Sequence, residues 1–189
     1  MINKKTCSLF LGILLSLFVV SCKDDVLPKP ASQLRLDYPE AEYAAFSNHC
    51  PFEFQMNNDA IIKEDKNCGF TIEYPKMKAT IYITYKTVNN DINSLLKDAQ
   101  SLTYKRHTQK ADEITEQPFI NPNKKVYGMF YDVTGNAATN SLFYATDSIK
   151  HFVTGSVYFY AKPNFDSILP AESYVKNDMK RLLETIKWK

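Results

Sequence analysis

The residues of this 189-residue chain best equipped for chemistry are its cysteines, its three histidines, and one short run in which Asp147, Ser148 and His151 fall together. A cysteine offers a nucleophilic thiolate, a metal ligand or half of a disulfide, and its surroundings decide which. Cys22 closes the run Val19-Val20-Ser21-Cys22 at the end of an apolar stretch. That pattern resembles a bacterial lipobox, in which a small residue precedes a cysteine whose thiol takes a diacylglyceryl group before cleavage. Each buried CH₂ of such a lipid adds about 0.8 kcal/mol of membrane affinity, so a diacylglyceryl group with an N-acyl chain holds a protein firmly. Cys22 is the predicted lipidation site.

With Cys7 removed on export and Cys22 lipidated, Cys50 and Cys68 remain. An even pair in an exported chain predicts a disulfide, and closing a loop of this size adds roughly 3 kcal/mol in chain-entropy terms. The segment inside it, with Asn57-Asn58-Asp59 and Lys63-Glu64-Asp65-Lys66-Asn67, reads as a polar excursion stapled at its base. The alternative is a metal or redox site with His49 beside Cys50 as a helper, but such sites usually place two ligands or thiols a few residues apart, and no second cysteine lies near either one.

His49, His107 and His151 form no H-x-x-x-H or H-E-x-x-H pair, so no metal site is expected. Asp147, Ser148 and His151 supply the residue types of a hydrolase triad. A serine nucleophile, however, normally sits on a strained turn such as G-x-S-x-G, which is absent. The plainer reading is a turn in which Asp147 and Ser148 cap backbone groups and His151 begins a strand. The five glycines stand apart from one another, so no phosphate-cradling loop and no nucleotide cofactor are expected. No other cofactor is implied. Tyr82, Tyr127, Tyr131, Tyr158 and Tyr160 leave an envelope glycan-binding module open as an alternative, as the Asp147 cluster does a hydrolase. Tyrosine is also an ordinary occupant of half-buried strand positions. Pro163-Asn164-Phe165-Asp166-Ser167 forms an aromatic loop suited either to meeting a partner or to plugging the end of a sheet.

The elements that must position these residues follow from hydrophobic period. Lys4 and Lys5 precede an apolar run from Leu9 to Val20 that fits a signal-peptide core of roughly 7–15 residues and falls short of the roughly 20 that a spanning helix needs. Residues 1–21 are thus a predicted signal peptide, residues 22–33 a proline-containing tether, and residues 34–189 a single domain. Removing the two lysines balances the mature chain at 21 basic and 21 acidic side chains, so no electrostatic case for nucleic acid exists. Alternation predicts strands over Ala79 to Lys86, Lys125 to Val133, Ser141 to Thr146 and Phe152 to Ala161, read as consecutive antiparallel strands with turns at Gly135-Asn136 and Asp147-Ser148. Ile92, Leu95, Leu96, Ala99 and Leu102 recur at helical spacing after Asn90-Asp91. Val175, Met179, Leu182, Leu183 and Ile186 do so after Pro170, which suits a first helical position. The expected fold class is α+β, a mainly antiparallel β-sheet packed with two or more helices.

Taken in order, Leu27-Pro28-Lys29-Pro30, Cys50-Pro51-Phe52, Glu73-Tyr74-Pro75-Lys76-Met77-Lys78-Ala79, Val126-Tyr127-Gly128, Gly135-Asn136-Ala137-Ala138, Thr146-Asp147-Ser148, His151-Phe152 and Pro163-Asn164-Phe165-Asp166-Ser167 resemble the gliding-motility lipoproteins of the GldD type, along nearly the whole mature chain. Where that family often carries serine after Gly-Asn-Ala-Ala, this chain has Thr139. The resemblance implies a non-enzymatic lipoprotein that supports gliding and the associated type IX secretion machinery. Its implied partners are other gliding-motility lipoproteins and type IX secretion components. Its lipid would sit in the outer membrane facing the periplasm, with the inner membrane or the cell surface as alternatives. Asp147, Ser148, His151, Asn164 and Asp166 are then expected in partner-contact or structural loops, with no catalytic residues.

Overall fold

In a computed structural model the described residues are 38–64, 67–106, 111–135, 137–160 and 165–189, without the side chains of 105, 106 and 165–167. The predicted signal peptide, Cys22 and its tether, together with His107, Asn136 and Asn164, lie outside them. The described chain forms one α+β domain. In order, its elements are β1 (Tyr43–Ser47), β2 (Phe52–Asn57), β3 (Ile61–Glu64), β4 (Phe70–Tyr74), β5 (Ala79–Thr87), α1 (Ile92–Ser101), β6 (Ala111–Asn121), β7 (Val126–Gly135), β8 (Ser141–Thr146), β9 (His151–Phe159), α2 (Phe165–Thr185) and β10 (Lys187–Trp188). They build a seven-stranded sheet in the order β3-β4-β5-β9-β8-β7-β6 and a three-stranded sheet in the order β1-β2-β10, with antiparallel neighbours throughout.

The period-two segments become strands because alternate side chains reach opposite faces and both faces find cover. On one face Ile81, Ile83, Val153, Val157, Phe143 and Ala145 pack in a single cluster with Val175, Met179, Leu182, Leu183 and Ile186 of α2 and with Phe52 and Phe54 of β2. On the other, Phe152 joins Leu95 of α1 and Val88, while Tyr131, Val133 and Leu142 pack with Leu102 just beyond α1. Each helix therefore lies on its own side of the sheet. Strand β8, covered on both sides, is buried at Ser141, Leu142, Phe143, Ala145 and Thr146 and loses any clean alternation.

The structure corrects several local expectations. The segment between Cys50 and Cys68 is not a polar excursion: it contains β2 and β3, and Phe52 and Phe54 are 2% exposed. Strand β5 does not neighbour the next strand in sequence. The chain leaves β5 through α1, and β5 pairs over its whole length with β9, from Ala79 opposite Phe159 to Thr87 opposite His151. Strands β7, β8 and β9 do form successive hairpins. Pro170 sits inside α2, which begins at Phe165, rather than at its first position. Its missing N–H costs one hydrogen bond there, and tertiary packing of the apolar stripe holds the helix.

Two hairpins share one device. Between β4 and β5, Pro75–Met77 makes a 3₁₀ turn closed by Lys78 in the left-handed region (φ 51°), whose N–H donates to the Pro75 carbonyl at 3.2 Å. Between β6 and β7, Pro122–Lys124 repeats it, with Lys125 at φ 51° and the same 3.2 Å bond to the Pro122 carbonyl. Proline presets the entry and lysine tolerates a conformation that costs a non-glycine residue about 1 kcal/mol.

Gly155 in β9 has a packing role. A Cβ built there would lie 2.2 Å from Cε1 of the Phe143 ring on β8. Replacing Gly155 with Ala should lower unfolding stability by about 1–3 kcal/mol through overpacking, measured by denaturant titration.

Candidate functional site

The run Asp147-Ser148-Ile149-Lys150-His151 is the β8–β9 turn. Asp147 Oδ1 accepts the backbone N–H groups of Ile149 (3.0 Å), Lys150 (2.8 Å) and His151 (2.8 Å). Burial alone would raise the Asp147 pKa, but these three N–H groups and the nearby imidazole outweigh it and hold the carboxyl below the usual carboxylate range. Ser148 takes the left-handed position (φ 68°) and donates its N–H to Thr146 Oγ1 at 2.9 Å. Among the described hydrogen bonds none joins Ser148 Oγ to His151, and the Asp147 carboxylate addresses backbone rather than the ring. This is a side-chain-capped turn, without the serine–histidine–carboxylate relay a triad requires.

His151 serves as a joint. Its Nδ1 lies 2.9 Å from the Tyr85 hydroxyl, and its ring stacks on Trp188 with centroids 5.2 Å apart and planes 13° apart. Trp188 belongs to β10 of the small sheet, and its Nε1–H donates to the Lys125 carbonyl at 2.9 Å. One imidazole thus ties the large sheet to the last strand of the small one. Burial lowers the His151 pKa, Lys150 adds to the effect, and Asp147 partly opposes it.

Cys50 and Cys68 form a disulfide, with Cα atoms 5.5 Å apart. His49 Nε2 stands 3.8 Å from each sulfur. His49, Cys50 and Cys68 are the one group of metal-type ligands found among the described residues, and with both sulfurs bonded to each other they do not offer a metal a ligand set.

The most connected polar group was invisible in the sequence. Asp178 of α2, 4% exposed, accepts from Tyr43 of β1 (2.5 Å), Asn57 of β2 (2.8 Å) and Tyr74 of β4 (2.9 Å), and Asn57 also donates to Tyr174 at 2.9 Å. Burial first, and the adjacent carboxylate second, push the Tyr43 and Tyr74 hydroxyls far above the ordinary tyrosine value, so both remain donors. A second buried group is Glu172, which meets Lys176 at 3.3 Å, while Lys176 reaches Asp132 at 3.1 Å. Burial raises the Glu172 pKa, and it works against the Lys176 charge, which the two carboxylates restore. An apolar helical stripe announces itself by period, but an aspartate inside it has a meaning only once its donors converge.

Of the tyrosines considered for a glycan surface, Tyr82, Tyr158 and Tyr160 come together. Tyr131 is buried under α1's side of the sheet, and Tyr127 lies apart at the β6–β7 end. Asp166 falls in the first turn of α2, with its side chain outside the described residues.

A family model described as "Gliding motility lipoprotein GldD" matches residues 23–188. The chain belongs to that family. No curated relative matches it. Family membership makes it a gliding-motility-associated lipoprotein anchored to a membrane of the cell envelope. No helix among the described residues is long and apolar enough to cross a membrane.

Two outcomes follow for the buried groups. Asp178→Ala takes the acceptor from three donors, of which Asn57 and Tyr74 are buried, and should cost about 3 kcal/mol in denaturant unfolding, whereas Tyr43→Phe, which removes donor and bond together, should cost about 1 kcal/mol. For His151 the folded pKa lies below the unfolded value of about 6.5. Folding is therefore fully favoured above that value and loses stability as pH falls from it toward the folded pKa. An NMR titration should place the imidazole midpoint below 6.5, and His151→Gln should flatten the fall in thermal stability over that interval.

Proposed function

We propose that this lipoprotein is a non-enzymatic assembly factor, held by Cys22 in the outer membrane facing the periplasm, and that it acts through protein contacts with other gliding-motility lipoproteins and type IX secretion components. The observation that carries the reading is the state of the residues with catalytic potential. Asp147, Ser148 and His151 are committed to a turn and to a joint between sheets, and Cys50 and Cys68 to a disulfide. What that end of the large sheet presents instead is exposed apolar surface: Ile120 is 68% exposed, Ile149 69% and Tyr127 36%. Tyr127 lies opposite Ile120 on one side and Thr146 on the other, so all three residues belong to the β6–β7 and β8–β9 end. Large apolar residues grouped on a surface favour protein partners. The matched span opens at residue 23, directly after Cys22, in support of the lipid anchor as the start of the working protein.

Affinity capture of the lipidated protein from crosslinked envelopes should recover gliding-motility lipoproteins or type IX secretion components. Ile149→Asp combined with Ile120→Asp should deplete them about tenfold with the thermal midpoint unchanged. Recovery of none of these components from envelopes in which the known complexes survive would overturn the proposal. Ser148→Ala should leave capture and gliding intact. A folded, normally abundant Ser148→Ala protein that loses gliding would instead favour an envelope hydrolase.

A further inference from the structure

We infer that the sheet face carrying Tyr82, Thr84 and Lys86 is a binding groove for a neutral glycan, a site separate from the apolar end assigned to protein partners. Strand β5 puts Ile81 and Ile83 into the α2 core, so Tyr82, Thr84 and Lys86 stand on the opposite face. Beside α1 this face holds a cavity of about 350 Å³, to which the sheet contributes Thr84, Lys86 and Thr154 and the helix Leu95, Asp98 and Ala99. Thr84 and Thr154 are direct cross-strand partners. A second, more open cavity of about 540 Å³ is lined again by Thr84 and Lys86, now with Tyr82, Thr71, Lys63 and Glu64. Phe70, Ile83 and Tyr85 of the α2 side also line it, so it lies at the open β5 edge and adjoins the first cavity through Thr84 and Lys86.

Three features identify the class of ligand. First, Tyr82 packs edge-on against Tyr158 (centroids 5.5 Å, 84°) and hydrogen-bonds Tyr160 through its hydroxyl. Tyr82 lines the second cavity, and with Tyr160 bonded beside it the pair remains 39% and 62% exposed. Second, the β4–β5 register ends at Phe70 opposite Ile83, which leaves the β5 backbone from Thr84 onward without a β4 partner. Its amide and carbonyl groups, with Thr71, Thr84, Thr154, Asp98 and Lys86, offer donors and acceptors in mixture. Third, the charges nearly cancel: Lys63 and Lys86 stand against Glu64 and Asp98, and Lys63 already bridges Glu73 at 2.8 Å. A polyanion would need a cation excess that is not there. A pyranose has an apolar C–H face and a rim of hydroxyls that each donate and accept. Tyrosine rings meet the face and the polar groups meet the rim, in a concavity within the size range of small-ligand sites.

The test uses the purified lipidated protein in detergent with two glycan probes: laminarin, a neutral β-glucan standing for secreted polysaccharide, and chitohexaose, standing for the glycan strand of the cell wall. Binding is read by affinity electrophoresis for the first and by calorimetry for the second, with dextran sulfate as the anionic comparison. The inference expects saturable binding to laminarin or chitohexaose, and which one binds distinguishes the two sources. Tyr160→Ala and Tyr82→Ala should weaken it by about tenfold or more at an unchanged thermal midpoint, Tyr160→Trp should retain it, and Tyr127→Ala should not alter it. Tyr160 is the more exposed of the pair, so its variant keeps the test valid if Tyr82→Ala fails to fold. Binding to neither glycan, binding to dextran sulfate alone, or glycan binding indifferent to Tyr160→Ala would overturn the inference. Because the protein-contact variants at Ile120 and Ile149 lie at the other site, their result stands apart from this one.

Discussion

A carboxylate removed from water must be met by donors, and the donors that meet Asp178 come from separate pieces of the chain: Tyr43 from β1, Asn57 from β2 and Tyr74 from β4. Asp178 itself sits on α2, one position before Met179, which is fully buried in the apolar cluster. The long helix cannot place its stripe on the large sheet without also delivering Asp178 to this point. Once there, the carboxylate requires the small sheet and β4 to converge on it. Hydrophobic burial supplies the larger share of the driving force, but it is non-directional. The hydrogen bonds to Asp178 select one arrangement among many that would bury similar area.

The same economy runs through the residues that looked reactive. His151 is held between Tyr85 and Trp188, Asp147 closes a turn, and Cys50, in the same apolar cluster as Phe52, is bonded to Cys68. Each spends its chemistry on holding one element to another. Exposed surface lies where cover runs out: the apolar end of the large sheet, and the β5 face that α1 covers only in part.

Much of the fold was legible because burial enforces period. Strands β5 and β8 and helix α1 lie close to where alternation and helical spacing put them, each having a face that must avoid water. Strand β2 was equally readable in principle, since Phe52-Glu53-Phe54-Gln55 alternates cleanly, but its position between two cysteines and a polar stretch suggested a loop. Strand β6 offers no such signal. It is an edge strand with no fully buried residue, it carries Asp112, Glu113, Glu116 and Pro118, and its pairing with β7 is a backbone matter. The paired Pro-x-x-Lys turns were present as Pro75 to Lys78 and Pro122 to Lys125, though a lysine in the left-handed region is not something local propensity reveals.

The amino-acid sequence by itself determined the local and the compositional: a cysteine pair, strands and helices with one apolar face, turn chemistry at Asp147, and the motifs that place the chain in its family. These depend on neighbours a few residues apart, and period and spacing record them directly. Only the tertiary structure decided that β5 would lie beside β9, that the helices would take opposite faces, that Asp178 would be the meeting point of two sheets, and that Tyr82, Tyr158 and Tyr160 would share a surface while Tyr131 went inside. Each of those facts joins residues tens of positions apart or more, and such contacts are chosen by the packing of the whole rather than by any pattern along the chain.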